Sequence, residues 1–355
     1  MSDDPAAPFD FGDHPDLTAF MAAADTGRRQ DLTGFDPDYV DIVDYIVRCT
    51  HKIWEERAVG LIYTHYAHNA TMHSSQGDLY GAEAVVRATL RRQAAFSDYR
   101  SYADDVIWTG NARDGFYTSH RIMTLGVNTG HTDFGPPTGR RIGRWVVADC
   151  RIRDNRIFEE WIVSDLGAEL RQLGYDPLEL ARRSAPLRPR PAAESAQGLG
   201  QLAPQVLPLP DPGEPEPYVR ALLHNLWNAR MVNLVRERYA PGLLAWVPGG
   251  RQLYGPNDYA AFVLGLMAQF PDLALTVDHV CALGDAERGQ RVAVRWTLQG
   301  THDGPGPYGA PTGRRVFLIG VSHLWLRGGR VEREWTLFDE YALLRQLHAP
   351  ALEDV

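Results

Sequence analysis

The chain contains one long segment twice, and this duplication constrains its fold more than any other feature. The motif PTGRR that begins at Pro137 returns at Pro311, and the stretch Leu79-Tyr80-Gly81 returns at Leu253-Tyr254-Gly255. Both pairs are 174 residues apart. The repeats of solenoid proteins are about 20 to 50 residues long, so a period of this length indicates that a whole domain is duplicated.

The duplication predicts two domains that are joined by a linker. We expect an N-terminal extension at residues 1–35, a first domain at 36–181, a linker at 182–217 and a second domain at 218–350. The linker is rich in proline, which interrupts both helices and central strands. The extension could cap a domain or stay disordered, and the sequence does not decide between the two.

Charge and hydropathy exclude several classes of protein. The net charge is -9, which would repel a phosphate backbone, so we expect no nucleic-acid partner. No apolar run reaches the roughly 18 residues of a membrane-spanning helix. The acidic N-terminus lacks the basic and apolar regions of a secretory signal, which predicts a cytoplasmic protein without a membrane partner. The cysteines show no CxxC spacing and are expected to be reduced and buried.

Helical patterns precede strand patterns in each copy. In the first copy Asp36-Pro37 predicts the start of a helix, and a second helix is expected from Ala82 to Phe96. A short closing helix is expected from Leu166 to Leu173, after β-rich runs at 102–108, 115–125, 142–153 and 156–164. This order predicts an α+β fold in which the helices pack on one face of a curved, mostly antiparallel sheet.

A hairpin near the end of each copy determines which side chains share a face of the sheet. If Arg153-Asp154-Asn155 forms a three-residue loop, then Ala148, Glu160 and Ile162 lie on one face. Asp165, directly after the hairpin, is predicted to be the N-cap of the closing helix.

Each copy resembles a SnoaL-like domain of the nuclear-transport-factor-2-like superfamily, which is also called ketosteroid-isomerase-like. The resemblance depends on the PTGR turn, the hairpin that ends in EEWIVSD or EREWTLFD, the closing LRQL helix, GTHDG at 300–304 and YAHNATM at 66–72. Together these motifs extend over most of residues 40–175 and 218–348. The resemblance implies a cone of helices wrapped by a curved sheet.

The resemblance also implies a hydrophobic cavity in each cone and acid–base chemistry on a small hydrophobic substrate, without a metal or an organic cofactor. Reactions in the family include polyketide cyclisation, isomerisation, dehydration, epoxide opening and carbon–carbon cleavage. Sheets of this superfamily commonly pair face to face as dimers. The duplication is therefore expected to build an intrachain pseudo-dimer, which could assemble further into a homo-oligomer.

Neither copy keeps the catalytic pair of the polyketide cyclases in this family. Those enzymes use an aspartate just after the tryptophan of the last strand and a histidine on the strand before it. The aspartate position is Ile162 in the first copy and Thr336 in the second, and the histidine position is Ala148 and Ser322. A cyclase reaction would therefore need an acid or base at another position.

Three residues of the first copy are the leading candidates for proton transfer. The family match places His73 at the start of the first strand, where related proteins have a base or a hydrogen-bonding residue, and an imidazole titrates near neutral pH. Glu160 would share the cavity face of the hairpin, where burial would raise its pKa. His120, which is replaced by Val294 in the second copy, would lie on the third strand. We rank His73 first.

The remaining candidate site residues come from the same copy. Asp105 and His131 are weaker catalytic candidates. Four further side chains are expected to contact the substrate, namely Tyr63, Trp108, Tyr117 and Ile162. His65 and His68 have no third ligand at a useful spacing, so no metal site is predicted.

These residues predict a cofactor-independent acid–base enzyme, a lyase or isomerase, that binds a small hydrophobic substrate in the first cone. An aromatic or phenolic substrate would suit the expected lining. The second copy is expected to be degenerate. Two alternatives stay open: a polyketide cyclase with a relocated acid or base, and a non-catalytic protein that binds hydrophobic ligands. A partner-docking scaffold would need an exposed apolar patch, which the sequence does not reveal.

Overall fold

The structure is a computed structural model that describes Phe20 and residues 27–185, 205–285 and 288–350. Most of the expected N-terminal extension and part of the expected linker lie outside these residues. The chain clusters into two compact units, one for each copy of the repeat, except that short segments such as Val163–Arg171 cluster with the second unit. Among the described residues, no helix is long and apolar enough to cross a membrane.

In its described residues, the first copy combines α-helices with a six-stranded sheet. The helices are α1 (Ile42–Trp54), α2 (Ile62–His65) and α3 (Ala82–Ala95). The strands are β1 (Tyr66–His73), β2 (Leu79–Tyr80), β3 (Arg100–Asn111), β4 (Gly115–Val127), β5 (Arg141–Arg153) and β6 (Arg156–Ser164). Helices α4 (Leu166–Leu173) and α5 (Pro177–Arg183) follow. The strand order is β2-β1-β6-β5-β4-β3, with β1 parallel to β6 and the pairs β1–β2, β3–β4 and β4–β5 antiparallel.

The second copy repeats this plan. Its helices are α6 (Pro215–Leu223), α7 (Asn233–Arg238), α8 (Gly255–Gln269) and α9 (Glu340–His348). Its strands are β7 (Tyr239–Val247), β8 (Arg251–Tyr254), β9 (Ala274–Asp285), β10 (Gly289–Thr301), β11 (Arg315–Arg327) and β12 (Arg330–Phe338). The strand order is β8-β7-β12-β11-β10-β9, which is the order of the first sheet. The predicted α+β fold is confirmed in both copies.

Helix α1 begins later than the sequence pattern predicts. Its N-cap is Asp41, whose carboxylate accepts a hydrogen bond from the backbone N–H of Asp44 at 2.7 Å. The predicted cap, Asp36, instead accepts a hydrogen bond from the side-chain amide of Asn155 at 2.9 Å and donates its backbone N–H to the same side chain. The prediction of Asp36 as the cap was wrong because this distant hairpin residue binds it.

The end of the expected N-terminal extension packs against the first unit. Leu32 is fully buried, and the ring of Phe35 lies 5.1 Å from that of Tyr45 and 5.8 Å from that of Phe116. Arg28 donates hydrogen bonds to the carbonyl oxygens of Leu32 and Phe35. The described part of this segment therefore covers one end of the core of α1 and the sheet.

The hairpin of β5 and β6 turns through two residues rather than the predicted three. Asp154 and Asn155 have φ angles of 49° and 65°, as a turn with two left-handed central residues requires. In the second copy Arg327 pairs with Arg330, and a bulge follows in the same hairpin. In the second copy this bulge compensates for the shorter turn, so residues keep the faces that a three-residue loop predicts. In the first copy Ala148, Glu160 and Ile162 line one cavity, so the predicted face assignment holds although the loop length was wrong. Asp165 accepts a hydrogen bond from the N–H of Ala168 at 3.1 Å, which confirms it as an N-cap.

Candidate active site

A cavity of about 220 Å³ lies inside the first unit, bounded by α1, α3 and the inner face of the sheet. Most of its wall is apolar, as in sites that bind small organic molecules. The wall also carries polar and ionisable side chains, among them Tyr66, Arg92, His120, Arg144 and Glu160. Within the described residues, no group of three or more His, Cys, Asp or Glu side chains is placed to hold a metal ion.

Glu160 is the one acidic side chain among the described residues of the cavity wall. It is 4% exposed. The hydroxyl of Tyr66 donates to its Oε2 at 3.1 Å, and the thiol of Cys150 donates to its Oε1 at 3.7 Å. Burial raises the pKa of Glu160 to about 7, although these two hydrogen bonds act to lower it. Both protonation states are therefore populated at neutral pH, so this carboxyl can accept or donate a proton.

His120 supplies a neutral imidazole to the same cavity. The residue is 1% exposed, and within the described part of the chain neither ring nitrogen has a hydrogen-bond partner. Burial, with a smaller contribution from the charge of Arg121, lowers the pKa of His120 to about 3. A buried polar group without a partner is costly. A ligand in the cavity could supply the missing hydrogen bond, and the neutral ring offers one donor and one acceptor.

Glu160 and His120 come from strands of the sheet that are separated by one other strand. His120 on β4 pairs with Ala148 on β5, and β5 separates β4 from β6. The backbones of β4 and β6 are therefore about 10 Å apart. Ala148 and Ile162 face the cavity, as predicted from the hairpin. The small side chain of Ala148 occupies the position where the resemblance implied a cyclase histidine.

The structure does not place His73 in the cavity. His73 ends β1 rather than beginning it, and it pairs in register with Trp161. Trp161 lies between Glu160 and Ile162, which face the cavity, so Trp161 and His73 lie on the opposite face of the sheet. The two rings stack with centroids 5.2 Å apart. Imidazole nitrogens of His73 lie 3.2 Å from a carboxylate oxygen of Asp78 and 3.4 Å from one of Glu159.

The second copy stacks two rings at the same place. Tyr66 pairs with Ile157, and Tyr239 pairs with Val331, the residue equivalent to Ile157. Strands β1 and β7 are therefore related by an offset of 173 residues, and His73 corresponds to Trp246. The rings of Trp246 and Trp335 are stacked, with centroids 4.5 Å apart and nearly parallel planes. The position of His73 is therefore one at which a flat ring packs on the outer face of the sheet.

The other weaker catalytic candidates also lie outside the cavity wall. Asp105 pairs with Arg121 on the outer face of the sheet, and its carboxylate is 3.7 Å from that guanidinium. Asp105 is 1% exposed and is not among the described residues of the cavity wall. His131 is exposed in the loop after β4.

Of the four predicted substrate contacts, Ile162 alone is in the cavity wall among the described residues. Tyr63 is 49% exposed and donates a hydrogen bond to Glu83 at 3.2 Å. Tyr117 lies on the outer face, where its hydroxyl donates to the carboxylate of Asp149. Trp108 packs against Phe116 in the core at 6.2 Å.

The sequence reasoning missed most polar and thiol groups of the wall, among them Tyr66, Arg92, Arg144 and Cys150. Alternation along β5 would have found two of them. Arg144, Val146, Ala148 and Cys150 all face the cavity, and Ala148 had already been assigned to that face. Tyr66 and Arg92 come from β1 and α3, for which no face had been assigned.

The raised pKa of Glu160 predicts a pH-dependent loss of stability relative to the Glu160→Gln variant. The carboxyl has a pKa of about 4.3 in an unfolded chain, whereas the folded protein holds it at about 7. The folded state therefore binds this proton more tightly, and its stabilising contribution is lost as the pH rises through that interval. The difference in unfolding free energy between wild type and variant should shift by up to about 3 kcal/mol between pH 4.5 and 8. Urea denaturation at both pH values measures it, and a pH-independent difference would contradict the assignment.

The second copy keeps the acid but fills the corresponding space. Glu334 matches Glu160, is buried, and has a pKa raised to about 7 by burial. It accepts a hydrogen bond from the hydroxyl of Tyr259 at 2.6 Å. Trp296 stands where the first copy has Ile122, is 4% exposed, and donates its indole N–H to Ser322 at 3.0 Å.

Gly320 makes room for this tryptophan. It pairs with Trp296, and a Cβ atom on Gly320 would lie only 2.1 Å from the indole ring. The equivalent pair in the first copy is Ile122 and Val146, both of which line the cavity. The two copies therefore differ in the space beside the carboxyl rather than in the carboxyl itself.

Helices and a mixed six-stranded sheet that enclose an apolar chamber with a buried carboxyl define a nuclear-transport-factor-2-like fold, present here twice. The family model described as SnoaL-like polyketide cyclase matches residues 45–173 and 218–347. The chain belongs to this family, and the resemblance predicted from its motifs is confirmed.

Three solved structures that are similar to this chain each cover between 35% and 38% of it. IdmH from Streptomyces antibioticus, a candidate polyketide cyclase, is 26% identical over 38% of this chain and 98% of its own, with a TM-score of 0.33. AclR from Streptomyces galilaeus, a candidate hydroxylase, is 27% identical over 35% of this chain and 75% of its own, with a TM-score of 0.31. A candidate SnoaL-like polyketide cyclase from Jannaschia sp. CCS1 is 24% identical over 37% and 91%, with a TM-score of 0.33. A search of curated proteins finds no match.

Proposed function

We propose that the first domain is a cofactor-independent acid–base enzyme, a lyase or isomerase, that removes a proton from the carbon next to a carbonyl group. The observation that carries this proposal is Glu160, a buried carboxyl with a pKa near 7 in the wall of an apolar cavity. A base with a pKa near the working pH combines a populated basic form with useful basicity. Membership of the SnoaL-like family supports an enzymatic role.

The reaction begins with the ionised form of Glu160. Its carboxylate takes the proton from the α-carbon, and the electron pair of the C–H bond forms an enolate. The negative charge develops on the carbonyl oxygen of the substrate, where His120 donates a hydrogen bond from its neutral ring. A buried donor that is already in place stabilises this charge more than water does. The protonated carboxyl of Glu160 then serves as the acid.

The same enolate intermediate can react further in several ways. Return of the proton to another carbon completes an isomerisation, and expulsion of a β-substituent completes a lyase reaction. Attack of the enolate on a second carbonyl would form a ring, which is the cyclase alternative. This alternative needs no histidine at the position of Ala148 and no aspartate at the position of Ile162, because Glu160 and His120 supply the base and the hydrogen-bond donor.

Deuterium exchange tests the proposal without knowledge of the natural substrate. The probe 4-phenylbutan-2-one has a carbonyl with acidic α-hydrogens and an apolar ring for the cavity. In D₂O the wild-type protein should accelerate exchange at these positions, and the rate should rise with pH to a plateau above about 7, where Glu160 is ionised. Proton NMR measures both binding and exchange. Binding with exchange at the buffer rate would instead support the non-catalytic alternative.

The predicted pairing of the two domains as an intrachain pseudo-dimer stays a prediction. If the second domain acts only as a partner for the first, the full chain should be monomeric in solution. Light scattering coupled to size-exclusion chromatography distinguishes this from a further homo-oligomer.

A further inference from the structure

The cavity of the first domain carries cationic and hydroxyl groups away from its catalytic carboxyl. Along β5, Cys150 contacts Glu160, and Arg144 lies six residues further along the same face. The backbones at these two positions are about 20 Å apart along the strand. Arg144 pairs with Thr124 of β4, so both belong to the end of the cavity that is remote from Glu160.

Three more polar side chains of the wall come from α3 and from β3. Thr89 and Ser101 are buried, and Arg92 is half-buried. The guanidinium of Arg92 lies over the rings of Phe96 at 4.1 Å and Tyr99 at 5.0 Å, which holds its plane at the wall. With Thr124 and Arg144, these residues form what we call the polar end of the cavity.

The second copy shows that the fold does not require this polarity. At the five positions equivalent to the polar end it has only aliphatic residues, namely Val263, Leu266, Leu275, Leu298 and Leu318. Their strand pairing is unchanged, since Leu298 pairs with Leu318 as Thr124 pairs with Arg144. The copy with an open cavity is therefore the one that has two guanidinium groups and three hydroxyl groups at this end.

Among the described residues of the cavity wall, the polar end has two guanidinium groups. The one carboxyl, that of Glu160, lies at the opposite end. Glu55, which approaches β3 from outside the wall, is engaged by the backbone N–H of Ser101 at 3.0 Å and by Arg100 at 3.3 Å. Two arginines with adjacent hydroxyls favour a planar group with two anionic oxygens, because a guanidinium binds a carboxylate through paired N–H donors.

We propose that the substrate of the first domain is an elongated carboxylate, whose anionic group binds Arg92 and Arg144 while its apolar body extends toward Glu160 and His120. The proposal deepens the proposed function and rests on it for the position of the reacting carbonyl. Binding of the carboxylate itself depends only on the polar end.

The volume of the cavity limits the size of this molecule. An engineered apolar cavity of about 150 Å³ binds benzene. A cavity of about 220 Å³ therefore suits one aromatic ring with a short chain rather than several fused rings. A phenylalkanoate has this shape, with a ring at one end and a carboxylate at the other.

Isothermal titration with a matched pair of ligands tests the proposal. The probe 4-phenylbutanoate carries the carboxylate, and 4-phenylbutan-1-ol replaces it with a neutral hydroxyl. Wild-type protein should bind the acid at least about tenfold more tightly than the alcohol, as expected for charge-assisted hydrogen bonds. Arg144→Leu and Arg92→Leu should each weaken binding of the acid about tenfold. The affinity for the alcohol should change by less than about threefold in each variant.

The second copy supplies the replacement residue for both arginine variants. Leucine is the residue that the second copy has at both equivalent positions, so each variant has a precedent in the same fold. Arg141→Leu removes an exposed charge from β5 outside the cavity wall and should leave both affinities unchanged.

Equal affinity of wild-type protein for acid and alcohol, or failure of the acid to bind at millimolar concentration, would overturn the proposal. So would an equal loss of both affinities in the arginine variants. The ketone in the exchange experiment has no carboxylate. The protein can therefore bind the acid without catalysing exchange of the ketone, or catalyse exchange without binding the acid. Failure of this inference is thereby separated from failure of the proposed acid–base activity.

Discussion

Replacing Glu160 by glutamine is expected to slow deuterium exchange into 4-phenylbutan-2-one by about 10²- to 10⁴-fold, the range that a positioned general base contributes. Glutamine has nearly the same shape, and its amide oxygen can still accept the hydrogen bond from the hydroxyl of Tyr66. It cannot accept a proton from carbon at neutral pH. The binding of the ketone should therefore persist while exchange is lost, and NMR line broadening and exchange rates measure the two separately.

The second copy provides a matched control for this substitution. Glu334→Gln removes an equally buried carboxyl with a pKa of about 7, but the space beside it holds Trp296. The Glu334→Gln variant should therefore exchange the ketone at the wild-type rate. Loss of exchange in this variant, with activity retained after Glu160→Gln, would place the chemistry in the second domain and refute the proposed site.

Filling the first cavity as the second copy is filled should abolish binding. The double variant Ile122→Trp with Val146→Gly introduces the pair that Trp296 and Gly320 form in the second copy. Because Val146 would collide with the indole, the glycine is needed to avoid overpacking. We expect 4-phenylbutan-2-one and 4-phenylbutanoate each to bind at least about 100-fold more weakly, since the ligand would have to displace a packed aromatic side chain.

Two measurements make this result interpretable. Val146→Gly alone leaves Ile122 in place and should keep binding within about tenfold of wild type. Near-UV circular dichroism of the double variant shows whether the new tryptophan is packed in a folded domain. Wild-type affinity in a folded double variant would mean that the probes bind elsewhere, and the cavity would no longer be the candidate site.

Local patterns in the sequence were sufficient for part of the site. Alternation along the hairpin assigned Ala148, Glu160 and Ile162 to one face, and the structure places all three in the cavity wall. His120 also lies there, on a strand whose alternation could be read directly. The polar end could have been found by comparing the copies position by position, because the residues equivalent to Arg92 and Arg144 in the second copy are leucines.

The resemblance alone misplaced the leading candidate. The motif YAHNATM identified the first strand but not where it ends, and His73 is its last residue. Pairing with Trp161 then determines that His73 faces away from the cavity. A shift of one residue in this pairing would reverse the outcome, since neighbouring residues of a strand face opposite sides of a sheet.

The sequence by itself determined the duplication, the order of helices and strands, and the face of the hairpin that carries Glu160. These properties depend on repeats and on periodicities that lie within single segments of the chain. The tertiary structure alone decided that His73 lies on the outer face and that Trp296 occupies the second chamber. Register and cavity volume depend on side chains that are distant in sequence, such as Trp296 and Gly320, so no local pattern contains them.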